Sequence, residues 1–160
     1  MRTAIVYVSK NGTTKATIDR IVKSRPLNTD IIDASVNTDF RGAAYQRVIF
    51  GCGIYGGKLQ QDLVRFVKKH HQDLIKAEVH FFIHGLLNKQ DVTEVLSQSI
   101  EHISKLNVVN VHSLGGYLDI KTQNFFVKTL LGVLCKKENL DINNLNTLSE
   151  ARTAQFIDSL

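Results

Sequence analysis

Five short runs of β-favouring residues alternate with helical patterns along the chain, and this rhythm restricts the fold more than any other feature. The runs are Thr3–Val8, Thr29–Asp33, Arg47–Gly51, Glu78–His84 and Asn107–Leu114. The first run, "TAIVYV", is apolar throughout, which is typical of a strand buried on both faces of a parallel sheet. Strands and helices in alternation predict an α/β fold, with one parallel sheet and helices on both of its faces.

Helical spacing of apolar residues follows the first, third and fourth runs, and a last helix follows the fifth. The first helix is predicted to end at Arg25-Pro26, because a proline disfavours helical backbone in the residue before it. Capping-box spacing predicts helix starts at Asp91 with Glu94 and at Thr147 with Glu150. The apolar positions of the three earlier helices are Ile18, Ile21 and Val22; Leu59, Leu63, Phe66, Val67 and Leu74; Val92, Val95, Leu96, Ile100 and Ile103.

The length of 160 residues favours one domain, and we expect residues 1–160 to form it. The apolar run at the start is too short for a signal peptide, and no run approaches the ~20 apolar residues of a membrane-spanning helix. Cys52 and Cys135 lie far apart in the sequence and form no CxxC motif. They predict free thiols in a reducing compartment, and therefore a cytoplasmic protein.

The net charge of +5 is partly concentrated in the segment Lys121–Lys137, which holds four lysines and no acidic residue. On a helix its apolar residues cover one broad arc: Phe126, Val127, Leu130, Leu131, Val133 and Leu134. Two interpretations stay open. The helix docks on the core, or it is a basic amphipathic helix that touches a membrane or a partner. Nucleic acid is disfavoured as a partner, because aromatic residues do not interleave with the basic ones.

The turn after the first run, "SKNGTT", is rich in hydroxyl and amide groups. It comprises Ser9, Lys10, Asn11, Gly12, Thr13 and Thr14. Free N–H groups at a helix start attract an anion, and the glycine permits close approach of a ligand to the backbone. The turn is neither a Walker loop nor a GxGxxG loop, so a single terminal phosphate suits it best. The plain alternative is a polar turn with a helix cap.

We predict no metal site. His70 and His71 are adjacent, and their side chains would point about 100° apart on a helix, so they cannot easily share one ion. We expect them to lie at a solvated helix end, where they interact with the C-terminal dipole. The other histidines show no ligand spacing. No Ser-His-acid or Cys-His set is identifiable either, so any chemistry is expected to belong to a bound cofactor.

The "SKNGTT" turn resembles the phosphate loop of flavodoxins, whose pattern is roughly [ST]-x-[TN]-G-x-T. The resemblance implies the flavodoxin-like fold, a five-stranded parallel sheet of order 2-1-3-4-5. It also implies FMN as cofactor, with its phosphate on Ser9–Thr14 and its ring between two further loops, Gly51–Lys58 and His84–Asn88. The implied contacts are Cys52, Gly53, Ile54, Tyr55, Gly56 and Gly57 in the first of these loops, and His84, Gly85, Leu86, Leu87 and Asn88 in the second.

Within those loops several roles stay open. The glycines of Gly51–Gly57 are expected to let the backbone approach a flat ring. Tyr55 stacks on the flavin or lies on the surface, and Cys52 touches the ring or packs in the core, packing being favoured. Backbone N–H groups near Gly85 are expected to bond the pyrimidine edge of the flavin.

The stretch from Val48 to Leu74 resembles the branch that includes the menaquinone-dependent, flavodoxin-like protoporphyrinogen oxidases, in which a basic helical segment also follows strand five. The resemblance implies electron transfer between a donor and an acceptor, either a redox partner protein or a quinone. The alternative is an enzyme that oxidises protoporphyrinogen IX by six electrons and reduces a quinone. A third hypothesis is a binding module that has lost the flavin.

Overall fold

The computed structural model describes residues 1–25, 28–37, 39–86 and 89–160, and it describes only the backbone of Lys89, Gln90, Asp91 and Glu138. The strands are β1 Arg2–Tyr7, β2 Asn28–Asp33, β3 Arg47–Tyr55, β4 Lys58–Leu59, β5 Glu78–His84 and β6 Asn107–Ser113. The helices are α1 Thr13–Ser24, α2 Gln61–Leu74, α3 Lys89–Ser99, α4 Phe125–Glu138 and α5 Glu150–Asp158. Single 3₁₀ turns occupy Gly42–Ala44, Ile103–Lys105 and Ile120–Thr122.

The sheet has the order β2-β1-β3-β5-β6, and all pairs along this path are parallel. The short β4 pairs antiparallel with the end of β3 and lies off the path. Counted as the five predicted strands, the order is 2-1-3-4-5, so the predicted α/β fold and its strand order are confirmed. The apolar residues of β1 are fully buried because other strands flank it and helices cover both of its faces.

Successive side chains of the central strands point to opposite faces of the sheet and build two cores. Phe50 and Phe81 belong to the larger core, which α2 and α3 cover. Ile49 and Phe82 belong to the second core, which α1 and α5 cover and which includes Phe156. The molecule therefore has three layers, with the sheet in the middle.

The third strand is longer than predicted. Residues 51–55, predicted as a glycine-rich loop, continue β3, because Cys52 and Gly53 still pair with Ile83 and His84 of β5. Gly56 and Gly57 have φ of 58° and 74°, which suits a two-residue hairpin turn between β3 and β4. Leu59 consequently lies in β4 rather than in the helix that follows.

Two helix starts also differ from the prediction. α3 begins at Lys89, before Asp91. α5 is capped by Ser149, whose hydroxyl accepts a hydrogen bond from the Arg152 N–H at 3.2 Å. Thr147 is not the cap, because its hydroxyl accepts instead from the Gly116 N–H at 3.0 Å.

The first helix ends close to the predicted residue, since Arg25 has extended backbone; Pro26 lies outside the described residues. Its predicted apolar face is only partly correct, because Ile18 and Ile21 are fully buried whereas Val22 is 39% exposed.

The segment from Leu114 to Ser149, which we call the insert, joins β6 to α5 and forms a small apolar cluster of its own. Leu131 and Cys135 of α4 and Leu145 are its buried members. Partly buried residues pack around them: Leu86, Leu118, Ile120, Val127, Leu134, Leu140 and Ile142. The helix therefore docks on the insert and on the loop after β5, and it belongs to neither of the two sheet cores.

Candidate functional site

The loops predicted to carry function meet at one edge of the sheet. β1, β3 and β5 are neighbours and parallel, so their carboxyl ends lie together. Tyr7 pairs with Gly51, and Gly53 pairs with His84, which places the Ser9–Thr14 loop beside the other two. The chain passes from β1 to β2 on one side of the sheet and from β3 to β5 on the other, and ligands of open α/β sheets bind at such a switch point.

The Ser9–Thr14 loop presents unpaired donors. Backbone N–H groups from Asn11 to Lys15 have no acceptor among the described residues, and no side chain caps α1. The Ser9 hydroxyl is buried and also lacks a partner in the described part of the chain. A buried hydroxyl without a partner costs about 1–3 kcal/mol, so a ligand that accepts its hydrogen bond would remove that cost.

Gly12 gives this loop its shape. It precedes α1 with φ 83°, a conformation that residues with a Cβ seldom adopt, and open space surrounds it. No acidic residue lies in the first turn of α1, so the positive end of the helix dipole faces the loop without a compensating carboxylate. The Ser9–Thr14 loop is therefore electrostatically suited to an anion, and we call it the anion loop.

Tyr55 ties the end of β3 to this loop. Its hydroxyl donates to Asn11 Oδ1 at 2.7 Å, and Lys10 Nζ lies 5.4 Å from the centre of its ring. Partial burial raises the pKa of the Tyr55 phenol above its usual value. The side chain of Asn11 is consequently engaged with protein, and the ring of Tyr55 stands beside the anion loop as one wall of the site.

The glycines of β3 have close neighbours within the protein. A Cβ on Gly51 would lie 2.2 Å from the Phe82 ring, and one on Gly53 would lie 2.7 Å from the Tyr55 ring. The Gly53 N–H also donates to Gln60 Oε1 at 2.9 Å. These two glycines admit rings of the chain itself, whereas Gly56 and Gly57 form the exposed hairpin turn next to Ile54.

Cys52 packs in the core, as favoured by the sequence. Its side chain is fully buried on the α2 side of the sheet. Burial raises the pKa of its thiol to about 12, so the thiol stays protonated and unreactive near neutral pH. Only the backbone of Cys52 is available to a ligand.

The His84 side chain is engaged by hydrogen bonds within the protein. Its Nδ1–H donates to the Gly115 carbonyl at 2.9 Å, which leaves Nε2 to accept from the Thr17 hydroxyl at 3.0 Å. Burial lowers the pKa of the imidazole below its usual value. The His84 side chain therefore joins β5 to α1 and to the insert, and the flavin contact at His84 stays a prediction that only its backbone could meet.

The insert contacts the rest of the His84–Asn88 loop, which is the third loop of the candidate site. The Gly85 N–H donates to the Gly115 carbonyl at 3.2 Å, so this group is not free for a flavin as expected. Leu86 is half-buried against the α4 cluster. Leu87 and Asn88, also predicted as contacts, lie outside the described residues.

Sequence reasoning missed Gln60, Gly115 and Gly116 as supports of this edge. A Cβ on Gly116 would lie 3.0 Å from the Gly85 backbone, so the two loops touch directly. Gly115 has φ 78°, and a Cβ there would collide with the Thr147 carbonyl. The "GG" pair directly after the fifth strand was the available signal for this close contact.

The histidines do not form a metal centre in the described part of the chain, where no cluster of three metal-ligating side chains occurs. His70 is buried between the rings of Phe40 and Phe66, and not at a solvated helix end as expected. Its neighbour His71 faces His102. Among the described residues, no helix has the length and apolar content needed to cross a bilayer.

Both the sequence and the fold resemble those of known proteins. The family model of the flavodoxin domain matches residues 4–142. The fold is similar to that of a flavoprotein from Lactobacillus acidophilus solved in complex with FMN, with a TM-score of 0.56 and 14% identity, over 70% of this chain and 92% of that one. It is also similar to oxidised flavodoxin 1 from Bacillus cereus, with a TM-score of 0.55 and 12% identity, over 100% of this chain and 99% of that one.

No curated protein shows a significant match to the chain. The two solved structures share the fold at low identity, whereas the family model covers most of the sequence. The chain belongs to the flavodoxin family.

Proposed function

We propose that this protein binds FMN at the edge formed by β1, β3 and β5 and transfers electrons between a donor and an acceptor. The observation that carries the proposal is the Ser9–Thr14 loop, where a buried hydroxyl and a row of backbone N–H groups lack partners among the described residues. A phosphate accepts several such hydrogen bonds at once and gains from the helix dipole.

Different groups of the loop would bind different parts of a phosphate. The Ser9 hydroxyl and the backbone N–H groups around Gly12 would donate hydrogen bonds to it, and the hydroxyls of Thr13 and Thr14 could serve as further donors. Lys10 lies over Tyr55 and contributes positive charge at the rim. Tyr55 forms one wall of the site, and the backbone of Ile54–Gly57 and Gly85–Leu86 borders the space where a ring would bind.

When bound, FMN supplies the electron-transfer chemistry. The one thiol at this edge is not an alternative redox group, because Cys52 is fully buried and remains protonated. The protein's contribution is therefore to bind and orient the cofactor and to exclude water from one side of it.

The direct test is the absorbance spectrum of the purified protein. We expect flavin bands in the visible region and release of FMN, rather than FAD or riboflavin, on heat denaturation. A colourless protein that stays colourless after incubation with FMN and gel filtration would overturn the proposal. Ser9→Ala is the informative variant, and Ser35→Ala is its matched control, because the Ser35 hydroxyl bonds Asp33 outside the loop.

A second candidate is oxidation of protoporphyrinogen IX with a quinone as electron acceptor. The observation in its favour is that a basic helical segment follows the last strand and contacts the third loop of the site through Leu86. The substrate would lose six electrons and six protons, and each electron pair with two protons would reduce one quinone to a quinol.

Anaerobic turnover distinguishes this enzyme from an electron carrier. Protoporphyrinogen IX and a water-soluble quinone analogue are mixed with FMN-loaded protein, and the fluorescence of protoporphyrin is followed. A rate well above that of free FMN would support the enzyme. A rate equal to the protein-free control would reject it and leave the carrier function as proposed.

A further inference from the structure

α4 exposes apolar side chains on the face that points away from the protein. Phe125, Phe126, Leu130 and Val133 are 85%, 73%, 54% and 67% exposed. The opposite face of the same helix, with Leu131 and Cys135, is buried in the insert cluster. The helix is therefore apolar on both sides, although the chain covers only one of them.

This surface differs from the other exposed apolar residues. Residues such as Val36 and Val109 stand apart from one another on separate elements, which is normal for a protein surface. On α4, Phe126, Leu130 and Val133 follow the i, i+4, i+7 spacing of one helical stripe, and Phe125 lies beside it. We call these four residues the outer stripe. A continuous exposed stripe of this kind marks a contact surface.

The charges around the outer stripe favour one kind of occupant. At about 100° per residue, Lys136 and Lys137 project on the outward half of the helix, on either side of Val133. No acidic residue lies between Asp119 and Glu138, so no carboxylate of this segment offsets these two charges. Lysine side chains at the rim of an apolar helix face can extend to phosphate headgroups while their methylene stems cover apolar surface.

The same charges disfavour a second copy of the chain as the occupant, because a symmetric pairing of outer stripes would bring the lysines together. An anionic lipid surface offers both the apolar layer and the complementary charge. The helix of 14 residues is about 21 Å long, so it suits a position in the membrane plane and not across the membrane.

We propose that the outer stripe of α4 inserts into the headgroup region of anionic lipid membranes, with the helix axis parallel to the surface. α4 packs on Leu86, so this contact would hold the third loop of the candidate site close to the lipid. Combined with the proposed function, on which this last step depends, the position would favour an electron acceptor dissolved in the membrane.

The chain contains no tryptophan, so one introduced tryptophan reports a single position. The full-length variant Phe126→Trp is mixed with vesicles of phosphatidylcholine, with or without phosphatidylglycerol, and emission is recorded. Val36→Trp is the matched control, because Val36 is 84% exposed far from α4 in the sequence and on no helix. We expect a blue shift and quenching by brominated lipid for Phe126→Trp with anionic vesicles only.

Vesicle flotation of the protein without engineered tryptophan tests the two parts of the stripe. Phe126→Gln with Leu130→Gln should lower binding by about tenfold or more, because each side chain loses its apolar burial. Lys136→Gln with Lys137→Gln should lower it by about tenfold and weaken its dependence on salt. Lys128→Gln, on the other side of the helix, should lower it less. Val36→Gln should bind as the parent protein does.

Three results would overturn the proposal. One is unchanged emission of Phe126→Trp on all vesicles, and a second is equal binding to neutral and anionic vesicles. The third is a blue shift without vesicles that rises with protein concentration, since it would identify a second copy as the occupant. The measurements are made with and without added FMN, so failure to bind FMN would not be confused with failure to bind lipid.

Discussion

α2 and α4 have the same length, 14 residues, yet they relate to the rest of the molecule in opposite ways. In α2 the large apolar residues are spaced three or four apart, and Leu63, Phe66 and Leu74 are at most 2% exposed. In α4 the apolar residues run around the helix, and four of them stay exposed. The single apolar stripe of α2 is covered by one face of the sheet. The apolar residues on two sides of α4 can be buried only by two surfaces.

The comparison divides the protein into a part whose large apolar side chains are covered by the chain itself and a part that leaves large apolar side chains exposed. The sheet and α1, α2, α3 and α5 share two continuous cores. The insert has a small cluster of its own and exposes apolar side chains. The anion loop belongs to the first part, and the outer stripe belongs to the second.

The largest expected effect separates the two helices by stability. Leu63→Ala should lower the free energy of unfolding by about 3 kcal/mol, because Leu63 is fully buried in the larger core. Leu130→Ala removes the same atoms from an exposed position and should change it by less than about 0.5 kcal/mol. Urea denaturation followed by circular dichroism measures both variants. Comparable losses would show that α4 is covered by the chain itself in solution.

A smaller effect separates the two parts by ligand. Ser9→Ala removes a donor to a charged group and should weaken FMN binding by about 2 kcal/mol, or about thirtyfold in Kd. Its vesicle binding should equal that of the parent. Flavin fluorescence titration and vesicle flotation on the same preparation test both statements. Loss of both activities in Ser9→Ala would contradict the division into two parts.

The smallest effect concerns His84, which joins the two parts through Thr17 and Gly115. Its pKa is lowered in the folded protein, so the unfolded chain takes up the proton first, near pH 6.5. Stability should therefore fall as the pH falls below about 6.5, by up to about 1.4 kcal/mol per pH unit for this one proton.

The variant His84→Gln should show a shallower loss of stability between neutral pH and pH 5. The slope will not vanish, because burial also lowers the pKa of His80, whose ring nitrogens lack hydrogen-bond partners in the described part of the protein. Thermal unfolding at several pH values measures the slope. An unchanged slope would show that His84 does not titrate in this window.

The sheet was predictable from sequence because short, largely apolar runs alternate along the chain with helical patterns. The run Glu78–His84 matches β5 residue for residue. The anion loop was predictable because hydroxyls and a glycine follow a buried strand directly. The extension of β3 to Tyr55 was not predictable, because several glycines within a strand look like a loop in the sequence. Only their neighbours in three dimensions reveal the strand. Gly51 is explained only by Phe82, which lies 31 residues further along the chain.

The direction of the side chains at the site could not be predicted from the sequence either. His84 ends β5, where a side chain reaches either the ligand or the core, and the Thr17 hydroxyl that holds it lies on another element. The single apolar arc predicted for α4 was wrong in one respect. The residues at the two borders of this arc lie in different environments, because the insert cluster covers only the side with Val127, Leu131 and Leu134.

The measurement that tests the central claim most directly compares FMN with riboflavin, which lacks the phosphate. If the Ser9–Thr14 loop holds the phosphate, FMN should bind at least about a hundredfold more tightly than riboflavin, the sum of several charge-assisted hydrogen bonds. Ser9→Ala should narrow that ratio by weakening FMN alone. Equal affinity for FMN and riboflavin, or no binding of either, would contradict the account.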